Sequence, residues 1–219
     1  LAAESPLTRK WPISVIPNPV DVDTYRPAPQ AAARELLALP QDAKVIIAFF
    51  PKNLQDPRKG FDLFLEALQH LGNDSSIHIA VAGHMGAPND VRLSDISINW
   101  LGYLDDQSAI AAYRAADVVA VPSRQDNSPQ TATEALACGT PVVAFDSSGL
   151  PDFVRHLETG YLATAFDPQD FARGLALIAN DPELRARMSR DARERAVQEW
   201  SYAKVGQAHR DLFENLRAH

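Results

Sequence analysis

The stretch Val118–Phe145 (VVAVPSRQDNSPQTATEALACGTPVVAF) limits the fold more than any other part of the chain. Two β-branched runs, Val118–Val121 and Pro141–Phe145, flank a polar loop and a helix-forming segment. This is a strand–loop–helix–strand unit. Ser128 reads as the helix N-cap and Pro129 as the first helical residue, where a missing N–H costs nothing. The N–H groups of Gln130 and Thr131 then point out of the helix end without intrahelical partners, and such an end behind a parallel strand suits a phosphate. Gln130 and Glu134 are four apart and share a face, whereas Ala132, Ala135 and Leu136 turn toward a sheet. At a rise of ~1.5 Å per residue, Glu134 lies roughly 7–8 Å from Pro129, within reach of a ribose whose diphosphate sits at the helix end. A capped core helix with one exposed Glu fits the same spacing equally well.

Before this unit, Leu1–Pro12 reads as a loose lead-in and Ile13–Ile16 as a short β-prone run. Pro17, Pro19 and Pro27 then forbid regular structure and mark a linker or ordered loop. Asp21-Val22-Asp23 matches the Asp-x-Asp pattern of some metal-dependent sugar transferases, a two-residue match too short to carry a metal site. Gln30–Leu39 is a helix ended by Pro40. Lys44–Phe50 is a continuous apolar run, as in a strand buried on both faces. A basic loop with Lys52, Arg58 and Lys59 follows, then an amphipathic helix with Phe61, Phe64, Leu65, Leu68 and Leu71 on one face. Three cations at the carboxyl end of a buried strand suit an anion, although a solvated loop reads the same way. Ile77–Ala82 is a strand leading into Gly83-His84-Met85-Gly86, whose glycines permit a tight turn or close backbone approach. The run is not a G-x-G-x-x-G fingerprint, which weakens a nicotinamide-binding reading. His84 reads as a loop or core residue or, less simply, as a catalyst. Ile96–Leu101 is a strand, Gly102-Tyr103 turns out of it, and Asp105 and Asp106 open the helix Gln107–Ala115.

Beyond Phe145 come a polar loop, 146–152, a short edge strand at Gly160-Tyr161-Leu162, and three helices, Asp167–Asn180, Asp181–Trp200 and Ser201–Arg217. Asp167-Pro168 and Asp181-Pro182 each pair an N-cap with a proline at the first helical position. Alternating strands and helices imply an α/β fold with a doubly wound parallel sheet, in which ligands bind outside the carboxyl ends of the strands. The polar clusters all fall in those loops.

A net charge of −7 argues against nucleic acid as a partner. No apolar run approaches the ~20 residues that span a bilayer, and the start lacks the layout of a signal peptide. Cys138 is the single cysteine, so an intrachain disulfide and a multi-cysteine metal site are both excluded; it reads as a small buried filler rather than a nucleophile. These features fit a cytoplasmic protein, and a start at Leu1 rather than Met reads as a fragment.

The segment PSRQDNSPQTATEALACGTPVVAFDSSGLPDFV resembles the signature of the retaining glycosyltransferases of family 4, the glycosyltransferase group 1 family. That signature has an acid, seven residues, a Glu, then Ala-x-Ala-x-Gly-x-Pro-Val-Val; here Asp126 stands where Glu is common, and Glu134 and the following motif match. IPNPVDVDTYRP, RKGFDLFLEAL, AVAGH and WLGYLDDQSAIAAYRAADVVAVPS resemble further family segments in the family's order. The resemblance covers nearly all of 13–219. It implies the C-terminal, Rossmann-like half of a GT-B glycosyltransferase. Residues 1–12 would then be an interdomain remnant, 13–200 the nucleotide-sugar binding domain and 201–219 a C-terminal helix, with the acceptor-binding half outside this chain and the fragment alone inactive.

Carried over by position, the resemblance makes Lys59 and Asp126 catalytic. Lys59 would bind the donor diphosphate and Asp126 would approach the transferred sugar. Phe50-Pro51-Lys52-Asn53 stands where the family has a Gly-Arg pair, so Lys52 or Arg58 would supply the second cation. Glu134 would bind the ribose. Backbone groups of Ser128, Pro129, Gln130 and Thr131, with Asn127, would hold sugar or phosphate oxygens. Gly83 would border the donor, and the segment Trp100–Tyr103 would line the base. The donor implied is a nucleoside-diphosphate sugar of UDP or GDP type, with no metal and no cofactor. The acceptor would be a glycan or lipid-linked sugar, in bacterial polysaccharide or glycoconjugate synthesis, with peripheral contact at the inner face of the membrane. A non-catalytic nucleotide-recognition module and a sugar-nucleotide epimerase are the competing readings.

Overall fold

The computed structural model describes residues 5–50, 56–72, 74–83 and 98–217, Phe49 and Phe50 by backbone only. The readings placed on Lys52, Asn53, His84, Met85 and Gly86 lie outside the described residues. Among the described residues six parallel strands form one sheet: β1 (Lys44–Phe50), β2 (Ile77–Gly83), β3 (Ile98–Gly102), β4 (Val118–Val121), β5 (Val142–Phe145) and β6 (Gly160–Ala163). Their order is β3-β2-β1-β4-β5-β6. The order reverses between β1 and β4, and that reversal opens a crevice at the carboxyl ends of these two strands.

The helices are α1 (Gln30–Leu36), α2 (Phe61–Leu71), α3 (Asp106–Ala115), α4 (Gln130–Ala137), α5 (Leu150–Phe153), α6 (Pro168–Asn180), α7 (Pro182–Arg195) and α8 (Tyr202–Arg217). They cover both faces of the sheet because each strand presents alternate residues to opposite sides. Val45, Ile47, Val119, Val121, Val142 and Ala144 join one core with α3, α4 and Trp200. Ile46, Ala48, Val118, Ala120, Val143 and Phe145 join the other with α2 and α6. The continuous apolar runs of the central strands are therefore two half-cores written into one sequence.

Several helix ends follow the sequence reading. Asp105, Asp167 and Asp181 each accept first-turn N–H groups at the starts of α3, α6 and α7. Three expectations are corrected. The first helix stops at Leu36, not Leu39, because Ala38 takes φ 52° and the chain folds back. The Leu39 N–H then donates to the Arg34 carbonyl and Leu39 tucks into the core. The run Asp181–Trp200 is not one α-helix: a π-helical turn, Ala196–Trp200, follows α7. It ends with Trp200 buried, 5.6 Å from the Phe153 ring and beneath the Arg195 guanidinium. The third correction, at the start of α4, belongs to the site.

Candidate functional site

The loops after β1 and β4 meet at the reversal of strand order. A short 3-10 turn, Pro57–Lys59, ends at Gly60, which adopts φ 67°. A Cβ at Gly60 would lie 2.0 Å from the Pro122 carbonyl oxygen, so only glycine lets the two loops approach this closely. The Arg58 carbonyl accepts the Arg124 N–H at 2.7 Å. The Arg124 guanidinium reaches both carboxylate oxygens of Asp62 at 2.7 Å and the Pro57 carbonyl at 3.0 Å. These bonds fix the turn against the loop that follows β4.

Within this frame Lys59 Nζ lies 2.7 Å from Asp126 Oδ2, and the pair is half-buried, with side-chain exposures of 34% and 17%. Sequence reasoning gave these two residues separate tasks; the structure joins them as one ion pair. Asp126 Oδ1 also accepts the Ser128 N–H at 3.3 Å. The loop after β5 holds Asp126 and Asn127 from the other side. Gly149 N–H donates to the Asp126 carbonyl, while Ser148 Oγ accepts from the Asp126 N–H and donates to Asn127 Oδ1. A Cβ at Gly149 would stand 2.6 Å from the Asn127 carbonyl oxygen.

Arg58 is placed differently from Lys59. Its guanidinium grips Asp56 through Nε and Nη2 at 3.0 and 2.8 Å and is 67% exposed. Those bonds hold the Asp56 carboxyl down to about 2. Arg58 thus contributes its carbonyl to the frame, while its side-chain charge is matched within its own turn.

The start of α4 corrects the expected cap. The helix begins at Gln130, and Pro129, not Ser128, occupies the cap position without a side-chain bond. Ser128 Oγ instead accepts from a residue far away in sequence, Asn18, through Nδ2 at 2.9 Å. Pro129 contributes its carbonyl, which accepts from Ala132 and Thr133. The N–H groups of Gln130 and Thr131 still fall in the open first turn. Gln130 and Asn127 are exposed, and Thr131 is half-buried.

Glu134 is not the exposed acid of a capped core helix. It sits one turn into α4 with its Oε2 accepting from the Tyr113 hydroxyl at 2.7 Å. The Tyr25 ring lies beside this pair, its centroid 6.2 Å from that of Tyr113. Desolvation raises the Glu134 carboxyl above its ordinary value, and the neighbouring Tyr113 and Tyr25 phenols oppose the rise. Burial pushes the Tyr113 phenol well up. Sequence reasoning missed Tyr113, Tyr25, Asn18 and Ser148. The only signal for the first two was an aromatic residue in each of two segments already resembling the family.

Gly83 closes β2 and is buried. Tyr103 follows β3 and is 70% exposed, whereas Trp100 packs on Phe61 with ring centroids 6.2 Å apart. Of the aromatics expected to line the base, Tyr103 alone is turned out to the surface. Asp21 serves a turn, accepting from the Asp23 and Thr24 N–H groups and the Thr24 hydroxyl. Among the described residues no group of His, Cys, Asp and Glu side chains could hold a metal ion. Cys138 is buried and its thiol is pushed up to about 12, which keeps it unreactive. Among the described residues no helix is long and apolar enough to cross a membrane.

A parallel sheet of this order, with the Lys59–Asp126 ion pair in the loops at its reversal point, is a Rossmann-like α/β domain. The chain matches the family Glycosyl transferases group 1 over residues 35–195, and it belongs to that family. A D-inositol 3-phosphate glycosyltransferase of Saccharomonospora viridis is 38% identical over 91% of this chain and 49% of its own length. A second enzyme of that name, from Xylanimonas cellulosilytica, is 36% identical over 83% of this chain and 46% of its own. The chain spans about half the length of the curated relatives it matches. Among solved structures, a sucrose-phosphate synthase from Thermosynechococcus elongatus superposes with a TM-score of 0.79 at 25% identity, covering 96% of this chain and 55% of that one. HepE of Anabaena in complex with UDP-glucose gives 0.77 at 22% identity, covering 92% and 57%. The C-terminal domain of a glycosyl transferase group 1 family protein from Francisella tularensis gives 0.70 at 23% identity, covering 84% of this chain and 99% of that domain. The fold is thus the C-terminal, Rossmann-like half of a GT-B glycosyltransferase.

Proposed function

We propose that residues 13–200 form the donor-binding domain of a retaining glycosyltransferase that moves a sugar from a nucleoside-diphosphate sugar to an acceptor hydroxyl. The observation that carries this reading is the meeting of Lys59, Asp126 and the first turn of α4 at the β1/β4 reversal. In this reading Lys59 binds the donor diphosphate, the open N–H groups of Gln130 and Thr131 take phosphate or sugar oxygens, Asp126 approaches the transferred sugar and Glu134 takes the ribose.

The chemistry follows from where charge develops. Breaking the anomeric C–O bond leaves its electron pair on the nucleoside diphosphate. The Lys59 ammonium and the helix start are fixed charges and dipoles beside that growing charge, with no reorganisation needed as the bond stretches. The acceptor hydroxyl attacks on the face the leaving group vacates, which retains configuration, and its proton passes to the departing diphosphate oxygen on that face. Asp126 lies beside Lys59, which limits the drift of the ammonium when no donor is bound. The cation in this scheme is a side chain, so transfer proceeds without a metal.

That the HepE structure is a complex with UDP-glucose makes UDP the first donor nucleotide to try, ahead of GDP. The acceptor, a glycan or lipid-linked sugar, would be supplied through the other half of the protein, at the cytoplasmic face of the membrane. The test is transfer by the complete protein, given UDP-, GDP- and ADP-sugars with glycan and inositol-type acceptors, with and without EDTA. Product with the anomeric configuration of the donor, formed at the same rate in EDTA, is expected. Inversion of configuration, or a nucleotide sugar converted only to its epimer, would overturn the assignment.

A further inference from the structure

We propose that Tyr113 and Tyr25 are positioning residues for the donor ribose, acting through Glu134, and that the segment from Asn18 to Arg26 is therefore part of the donor site. The inference rests on the donor-site reading above and adds to it the groups that aim the carboxylate.

An ionised carboxylate offers about four lone-pair directions. In the described structure the Tyr113 hydroxyl takes one, on Oε2 at 2.7 Å, and the Tyr25 ring lies alongside, its centroid 6.2 Å from that of Tyr113, near enough for its phenol to act on the same carboxylate. Two or more directions remain, enough for a vicinal diol whose hydroxyls both donate to one acid. The phenols do more than satisfy Glu134. Tyr113 is buried on α3 with its ring in the core, so its hydroxyl is a fixed donor. A side chain with three rotatable bonds is thereby held in one orientation at the helix face.

Tyr25 comes from a different part of the chain, and its segment is bound along the whole of α4. Asn18 donates to Ser128 ahead of the helix. Tyr25 meets Glu134 in the middle. At the far end Arg193 donates to the carbonyls of Val22, Tyr25 and Ala137 together. Arg114 of α3 holds the carbonyls of Thr24 and Arg26, and Val20 N–H donates to the Trp200 carbonyl. The segment has little regular structure, yet its backbone is tied to three helical elements. Those ties place the Tyr25 ring beside Tyr113 rather than in solvent.

The experiment measures ribose selectivity in the complete protein. Calorimetry with UDP, GDP and ADP identifies the bound base, and the matching 2′-deoxy and 3′-deoxy nucleoside diphosphates are then titrated into wild type, Tyr113→Phe, Tyr25→Phe and Glu134→Gln. Wild type is expected to prefer the ribonucleotide, and Glu134→Gln to abolish the preference. Each Tyr→Phe variant removes one hydroxyl and is expected to reduce the preference about fivefold, the equivalent of one hydrogen bond. A tyrosine that only fills the core would lower the melting temperature and leave the ribose-to-deoxyribose ratio unchanged, and that result overturns the inference alone. Absence of nucleotide binding by wild type overturns the donor-site reading with it. If Tyr113→Phe does not fold, Tyr25→Phe, at a less buried position, decides by the same ratio.

Discussion

Glu134 shows at the scale of one residue how the site trades stability for readiness. Its folded value lies above the ordinary 4.5, so the folded chain holds the proton more tightly than the unfolded one. The associated stability is fully present below about 4.5 and is lost as the pH rises through the raised value. At neutral pH the ionised carboxylate therefore subtracts from stability. Glu134→Gln is expected to melt higher than wild type near pH 7 and to converge with it below about pH 4, as thermal scans across pH would record. A fixed difference at all pH values would show that burial of the charge is not the cause. Ser148 offers a second residue-scale test. It adopts φ 55° while its hydroxyl bridges Asp126 and Asn127. Ser148→Ala keeps the strained backbone and loses the bridge, whereas Ser148→Gly relieves the strain. The glycine variant should be the more stable of the two by about 1–2 kcal/mol in denaturant unfolding. Both acids of the site could be read from the chain as chemistry. Their partners could not, because Tyr113 and Tyr25 look like core aromatics until the fold brings them to Glu134.

At the scale of elements, the most demanding join is that between the 3-10 turn and the loop after β4. Gly60 and Gly72 both have positive φ, but Gly60 is left-handed helical (ψ 34°) with a carbonyl in the path of a Cβ, whereas Gly72 is extended (ψ −172°) with open space there. Gly72→Ala should lose about 1–3 kcal/mol, the conformational penalty alone, and leave nucleotide affinity unchanged. Gly60→Ala adds a collision with the Pro122 carbonyl and should lose about 3 kcal/mol or more, with nucleotide affinity falling as the loops separate. A Gly60→Ala loss of only about 1 kcal/mol, the left-handed penalty alone, would mean that the loop contact carries no load. The same scale shows which helix ends a sequence reveals. Asp105, Asp167 and Asp181 cap their own helices, and such local chemistry is visible in a few consecutive residues. Ser128 looked equivalent, but Asn18, distant in sequence, binds its hydroxyl and the helix starts later. The π-helical turn before Ser201 was equally hidden, because its cause is the burial of Trp200 against Phe153 and Arg195.

At the scale of the whole molecule, the alternation of apolar runs with helical segments was enough to expect a doubly wound parallel sheet. The strand order was not readable, since neighbouring strands of equal hydrophobicity can be arranged in several ways. The order matters because it makes β1 and β4 adjacent, and only then do the loops carrying Lys59 and Asp126 face each other. The central assignment is that this junction holds a nucleoside diphosphate, and titration calorimetry of the complete protein tests it most directly. UDP, GDP or ADP should bind wild type. Lys59→Ala should weaken that binding by about 1.5–3 kcal/mol, as for a hydrogen bond to a charged group, with Glu134→Ala weakening it further only where a ribose is present. Binding that is absent from wild type, or unchanged in both variants, would contradict the assignment.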